Sequence, residues 1–329
     1  MEVKEYKENY IKFLREAKDL GKNIKLASFD EIFIAGMGGS GVAGMFLESL
    51  IKNQRINIIN TNKLPFYAKK ESLVIVVSYS GNTEEMVSVF NEAQKKGCQI
   101  VVITSGGTLR DKCIHDNLKY VRIPSGVQPR DALPYLIIPM MNVLKIEYDI
   151  NKLVDGINNS RIKEKAKSLA DNLKGKIPII YSSDRIYPVA YRWKTQLNEN
   201  AKIHAFSNKV SELNHNELEA YENLNGNYYV VMIRDEKDPL MHVKRLDLMK
   251  KLIMGKKVPV LEIAITGKDL FNRMIVESFI GDITSLYLAE DEKIDSAPVA
   301  LIEEFKKNLK KWRGIKDGCW KNNKNKWND

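Results

Sequence analysis

The stretch Leu73-Val74-Ile75-Val76-Val77-Ser78-Tyr79-Ser80-Gly81-Asn82-Thr83-Glu84-Glu85 decides the fold. Its unbroken apolar run reads as a strand buried on both faces, as in a parallel sheet. Met86, Val87, Val89, Phe90 and Ala93 then supply the buried face of a helix, so Thr83-Glu84-Glu85 lies at a helix start. Asn82 or Thr83 would serve as an ordinary N-cap. Capping needs one hydroxyl, whereas Ser78, Ser80 and Thr83 place three in one loop. A phosphate group carries enough acceptor oxygens to use all of them.

Upstream, residues 30–35 read as a strand that runs straight into Gly36-Met37-Gly38-Gly39-Ser40-Gly41, and Val42, Ala43, Met45, Phe46 and Leu47 continue as a helix. Glycines let a ligand approach the backbone amides, and the helix start aims free N–H groups and a positive dipole end at the turn. This suits an anion such as phosphate. The spacing G-x-G-x-x-G superficially matches a dinucleotide fingerprint, but no acidic residue follows the second strand and no Walker lysine follows the turn. Met37 is expected to pack beside the loop. Both loops follow parallel strands and converge at the carboxyl edge of one sheet, where such sheets bind ligands. Further strands are expected at 99–104 and 120–123.

A second α/β pattern follows, with helices at 161–173, 187–198, 240–254, 270–288 and 298–309 and strands at 177–181, 202–206, 228–233 and 258–263. It lacks the glycine turn. The chain of 329 residues is long enough for two domains.

Composition narrows the class. Hydrophobic residues make up 44% and charged residues 29% of the chain, a globular profile. No apolar run approaches the ~18–20 residues of a membrane helix. The N-terminal MEVKEYKENY is charged where a signal peptide is apolar, so no membrane association and a cytoplasmic location are expected. Cys98, Cys113 and Cys319 are scattered, in keeping with a reducing compartment. His115, His204, His215 and His242 form no metal-ligand pattern. The net charge of +10 is concentrated in KKNLKKWRGIKDGCWKNNKNKW from Lys306 onward. Trp312, Trp320 and Trp327 there suit either base stacking or docking on the protein itself, and a solvated basic surface explains the charge without nucleic acid.

Taken together, GMGGSG and SYSGNTEE resemble the sugar isomerase (SIS) domain, a flavodoxin-like fold that binds phosphosugars. Gln128-Pro129-Arg130 before Leu133-Pro134-Tyr135, Gln196-Leu197-Asn198-Glu199-Asn200-Ala201-Lys202, and Asn214-His215-Asn216-Glu217 extend the match. In this order, the set resembles the bifunctional phosphoglucose/phosphomannose isomerases over nearly the whole chain. The resemblance implies an α/β protein of two SIS domains, each a parallel sheet flanked by helices: residues 1–150, then 151–312, with a basic tail at 313–329. It implies interconversion of glucose 6-phosphate, and of mannose 6-phosphate, with fructose 6-phosphate through a cis-enediolate. Such a proton transfer needs a base, a partner for the developing oxyanion and a ring-opening group.

By resemblance Glu199 is the base, Arg130 stabilises the enediolate, and His215 assists ring opening with Lys306. Lys307 is the adjacent alternative. Gly38, Gly39, Ser40, Ser78, Ser80 and Thr83 would hold the phosphate. The resemblance requires no metal or cofactor. It implies a homodimer in which the histidine reaches the neighbouring subunit's site. Residues 295–299 are where room for both C2 epimers is sought. Each side chain alone also fits a solvated cap, ion pair or polar turn. The competing readings are a SIS isomerase for another phosphosugar and a non-catalytic phosphosugar sensor.

Overall fold

The computed structural model describes residues 2–312. Helix α1 (Val3–Ala17) buries Tyr6, Tyr10, Leu14 and Ala17, a stripe at helical spacing. The chain then alternates through β1 (Glu31–Gly36), α2 (Gly39–Leu50), β2 (Ile56–Ile59), β3 (Ser72–Val77), α3 (Glu84–Lys95), β4 (Gln99–Thr104), α4 (Gly107–His115) and β5 (Lys119–Arg122). These strands form one parallel sheet in the order β2-β1-β3-β4-β5. Ile34 lies opposite both Ile58 and Ile75.

Helices α5 (Leu133–Val143), α6 (Ile150–Asn158) and α7 (Arg161–Leu173) lead to the second sheet. Its elements are β6 (Ile177–Ser182), α8 (Tyr187–Glu199), β7 (Phe206–Lys209), α9 (Val210–Leu213), β8 (Tyr228–Asp235), α10 (Leu240–Gly255) and β9 (Val260–Ile265). The strands are again parallel, in the order β7-β6-β8-β9. The long α11 (Leu270–Asp291) and α12 (Ala300–Trp312) complete the described chain.

Strand alternation sorts the core into layers. Ile32, Ile34 and Ile75 of the first sheet share one core with Ile180 and Val231 of the second, joined by residues of α1, α5, α8 and α11. Phe33, Val74 and Val76 face the other way, against Phe90 of α3. Tyr181, Val230 and Met232 do the same against Met249 of α10. The central helix α11 is buried on most of its surface. Gly281 permits its close approach to α8, because a Cβ there would sit 2.2 Å from the Trp193 ring. Trp193 also donates Nε1–H to the Glu277 carbonyl at 2.8 Å.

Two expectations need correction. The strand expected at 202–206 begins only at Phe206. Lys202 instead takes a left-handed conformation, φ +56°, which a strand cannot continue. Met37 does not pack away but is 37% exposed. The tail at 313–329 lies outside the described residues, as do Trp320 and Trp327.

Candidate active site

The glycine turn is a backbone cradle. Gly38 has φ +54°, and α2 starts at the next residue. A Cβ on Gly36 would meet the Ser40 backbone at 2.7 Å, and one on Gly41 would meet the Gly36 carbonyl oxygen at 2.7 Å. At Gly39 a Cβ would stand 3.0 Å from the Pro129 carbonyl oxygen and 3.7 Å from the Arg130 Cα. The N-terminus of α2 is thus laid against the Pro129-Arg130 segment. Ser40 is buried in that first turn.

The hydroxyl loop is built differently from a simple cap. Thr83 stands at the N-cap of α3, yet its side chain caps nothing. Its Oγ1 instead lies 2.9 Å from Ser78 Oγ. Ser78 is buried, and its Oγ also accepts from Gly81 N–H at 3.1 Å. Ser80 is exposed and accepts from Asn82 N–H at 3.3 Å. Asn82 reaches across to accept from the Thr108 amide and hydroxyl, which ties the loop to α4. Tyr79, which carries no role in the sequence motifs, accepts from Val127 N–H at 2.8 Å. Both phosphate-loop candidates therefore touch the segment that carries Arg130.

Arg130 is buried, and most of its donors are taken. Nε donates to Asn200 Oδ1 at 2.8 Å, and one terminal nitrogen donates to the carbonyls of Ser296 at 2.7 Å and Ala297 at 3.0 Å. The other terminal nitrogen faces Glu199 Oε2 at 3.8 Å. That separation is an ion pair without a direct hydrogen bond. Glu199 ends α8 with its side chain 30% exposed. A carboxylate and a guanidinium nitrogen thus face one another, each with capacity for a substrate atom.

A buried polar layer holds this pair in place. Asn200 Nδ2 donates to Ser285 Oγ at 2.9 Å, and Ser285 donates to the Asp282 carbonyl. Arg192 pairs with Asp282 at 2.8 Å while also donating to the Arg130 carbonyl at 3.2 Å. Tyr6 of α1 donates to the same carboxylate at 2.9 Å. Removing one member of such a buried pair typically costs ~3–5 kcal/mol. Burial pushes the Asp131 carboxyl up to about 6 against the opposing pull of Arg130 and Arg192. Asn200, Asp131, Arg192 and Asp282 are absent from the candidates that the sequence suggests. Asn200 and Asp131 stand within the quoted motifs or beside them, whereas Arg192 and Asp282 lie in helix interiors with no local signal.

The structure brings Glu199 and Arg130 together but not His215 or Lys306. His215 is exposed just after α9, and no hydrogen bond or ion pair among the described residues joins its side chain to Arg130 or Glu199. Lys306 and Lys307 are exposed on α12. That helix shows Leu301 at 82% and Phe305 at 65% exposure, so its apolar face is uncovered in the single chain. Among the described residues no group of three or more His, Cys, Asp or Glu side chains is arranged to hold a metal ion. No described helix is long and apolar enough to cross a membrane.

Comparison with known proteins agrees with this architecture. The SIS domain description matches residues 25–115, and that of the bacterial phospho-glucose isomerase C-terminal SIS domain matches residues 162–309. Among solved structures, a hypothetical protein of Thermus thermophilus superposes with a TM-score of 0.71, covering 94% of this chain and 87% of that one at 14% identity. Tagatose-6-phosphate ketose/aldose isomerase of Escherichia coli gives 0.63, covering 88% and 91% at 16% identity. These two likenesses concern the fold. The bifunctional phosphoglucose/phosphomannose isomerase of Caldicellulosiruptor bescii is 35% identical over 323 residues, covering 90% of this chain and 95% of its own. That of Aquifex aeolicus is 32% identical, covering 90% and 95%. Two SIS units, similarity of this extent and the matching motif order together place the chain in the bifunctional phosphoglucose/phosphomannose isomerase family.

Proposed function

We propose that this protein is an aldose-ketose isomerase that interconverts glucose 6-phosphate and mannose 6-phosphate with fructose 6-phosphate. The observation that carries the site assignment is the facing pair of Glu199 and Arg130 beside the glycine turn. Gly38, Gly39, Ser40, Ser78, Ser80 and Thr83 hold the phosphate. The α2 amides and the Ser80 and Thr83 hydroxyls supply its donors. Glu199 takes the C2 proton of an aldose and returns it to C1. The Arg130 nitrogen that faces Glu199 balances the charge developing on the enediolate oxygen. Its other nitrogens are fixed by Asn200 and two carbonyls, so little reorganisation accompanies the step.

His215 and Lys306 open the sugar ring, and they do so in a homodimer with shared sites. Two features support this reading: among the described residues the exposed His215 makes no hydrogen bond or ion pair with its own chain's Glu199, and α12 carries an uncovered apolar face. The protein works in the cytoplasm, and its two SIS domains divide near residue 150. The test is fructose 6-phosphate formation by the purified protein from glucose 6-phosphate and mannose 6-phosphate separately, with a chelator present. Turnover of both supports the reading in full, and turnover of one narrows the C2 pocket, pointing to residues 295–299. Turnover of neither removes it. A second reading warrants an arm of that assay, because a D-glucosamine-6-phosphate 4-epimerase of Sulfolobus acidocaldarius is 35% identical over 62% of this chain. D-glucosamine 6-phosphate is therefore assayed alongside.

A further inference from the structure

The ammonium of Lys202 sits where three backbone carbonyls converge. It donates to the Glu199 carbonyl at 2.5 Å, to Pro298 at 2.6 Å and to Ser296 at 3.4 Å. These come from two segments remote in sequence: the end of α8, which carries the candidate base, and the strap between α11 and α12. Lys202 reaches them from a left-handed backbone, φ +56°, unusual for a lysine and strained relative to extended chain. The reversal directs the side chain back over the helix end it has just left.

Lysine here meets carbonyls rather than a carboxylate, and no described Asp or Glu lies within ion-pair distance of its Nζ. An ammonium at the last carbonyls of a helix is favourable in itself. It need not, however, bind a second segment at the same time. Burial, then the neighbouring Arg130 charge, disfavours the charged form of Lys202, so this position is not the easiest one for a cation.

The strap is also the segment that Arg130 grips. Ser296 accepts from both cations, Ala297 from Arg130 and Pro298 from Lys202. Asp295 Oδ1 accepts from Ala297 N–H at 2.9 Å, which turns the strap locally. Helix α12 begins two residues after Pro298 and is exposed from Ala300 to Leu309, so the strap governs where α12 and Lys306 lie.

We propose that Lys202 is a positioning residue for the isomerase reaction. By fastening the strap to the Glu199 backbone, it sets the distance between Glu199 and Arg130 and fixes the point from which α12 departs. The proposal deepens the isomerase reading and rests on it for its kinetic consequence. Misplacing a reacting group by about 1 Å costs up to ~10²-fold in rate, whereas phosphate contacts elsewhere stay intact.

The test compares K202M with the unmodified protein in two measurements. In the first, kcat for glucose 6-phosphate is expected to fall about 10-fold or more while KM changes less than about threefold. In the second, amide hydrogen exchange is expected to quicken at 296–300 and in α12 while the β-strands stay unchanged. Faster exchange with unaltered kcat would overturn the catalytic part. A lower kcat with unaltered exchange would overturn the tether. A rise in KM matching the whole loss would also overturn it. If K202M does not fold, K202R carries the same test, since a planar guanidinium cannot meet three converging carbonyls as an ammonium does. Absence of turnover in the unmodified protein would instead count against the isomerase reading, with the exchange measurement still deciding the tether.

Discussion

At the carboxyl edge of the first sheet, β1 ends in a glycine turn and β3 in a loop of hydroxyls, with α2 starting directly at the turn. At the corresponding edge of the second sheet, β6 ends in Ser182-Ser183-Asp184 and β8 in Asp235-Glu236-Lys237-Asp238. The acidic side chains fill that edge themselves. Asp184 accepts from the Ser211 amide and hydroxyl, Asp235 from Lys237 N–H and Arg273, and Asp238 from Asp235 N–H. The topology is shared, but one edge offers donors to an anion and the other is already occupied by carboxylates. Sheet order alone therefore does not make a phosphate site; open amides do. On the function proposed above, the second unit contributes chemistry instead, through Glu199 at the end of α8.

This division of labour can be broken most sharply at Glu199. The E199Q variant keeps shape and removes the proposed base. We expect kcat for glucose 6-phosphate to fall about 10³-fold, while binding of fructose 6-phosphate, followed by calorimetry, stays within a few fold. Near-normal turnover would take the base out of the second unit and dissolve the comparison.

The next largest effect is expected at the closed edge, and it should be structural. Asp235 meets Arg273 at 2.8 and 2.9 Å, and both side chains are buried. D235N leaves the guanidinium without its counter-charge, a loss of about 3 kcal/mol. Melting should fall by roughly 4 °C, with KM for the sugar phosphate unchanged at a temperature where the variant is folded. A raised KM would mean that the second edge also binds substrate.

Much of this is legible in the sequence, for reasons specific to each region. The buried strands β1, β3, β4, β6 and β8 and the helices α2, α3 and α8 carry continuous apolar runs or helical stripes, and they lie where those patterns put them, whereas α4, which buries only Leu109 and Cys113, is missing from the expected elements. The strand expected at 202–206 fails because Lys202 takes a left-handed conformation, and its ammonium donates to a carbonyl 94 residues away. Helix α1 is missing from the expected elements, although Tyr6, Tyr10 and Leu14 stand at helical spacing. The pairing of Arg130 with Ser296 and Ala297 has no sequence signature at all, since the acceptors are backbone carbonyls. Glu199 and Arg130 are reachable only because several motifs occur together in one order; neither side chain is distinctive alone.

A smaller effect concerns the buried charge behind the site. Asp131 has its carboxyl pushed up to about 6 by burial, above the unfolded value. The folded state therefore holds this proton more tightly, and its contribution to stability is present below about pH 4 and is lost as pH rises through 6. Removing the titration with D131N should cancel that loss, so the stability difference between variant and unmodified protein should move by about 2 kcal/mol in the variant's favour from pH 4 to 7. Urea unfolding of both proteins across that range measures it. An unchanging difference would show that Asp131 shares its charge with the Arg130 and Arg192 guanidiniums at every pH.

The smallest effects are expected at the open edge, and they separate binding from folding there. Thr83 occupies an N-cap position but caps nothing, so T83A removes no helix-stabilising bond. Ser80 is exposed and its hydroxyl only accepts from Asn82 N–H, so S80A should also leave melting nearly unchanged. Each hydroxyl nevertheless offers one donor to a phosphate. Losing it should raise KM for glucose 6-phosphate by about 10-fold, equivalent to ~1.4 kcal/mol, with a much smaller change in kcat, because a contact made equally to substrate and transition state is uniform binding. If both variants kept the original KM, the phosphate would lie on the glycine turn alone and the hydroxyl loop would be a structural brace for α3 and α4. If kcat fell with KM unchanged, the loop would act on the transition state, and binding and chemistry would no longer divide between the two sheets.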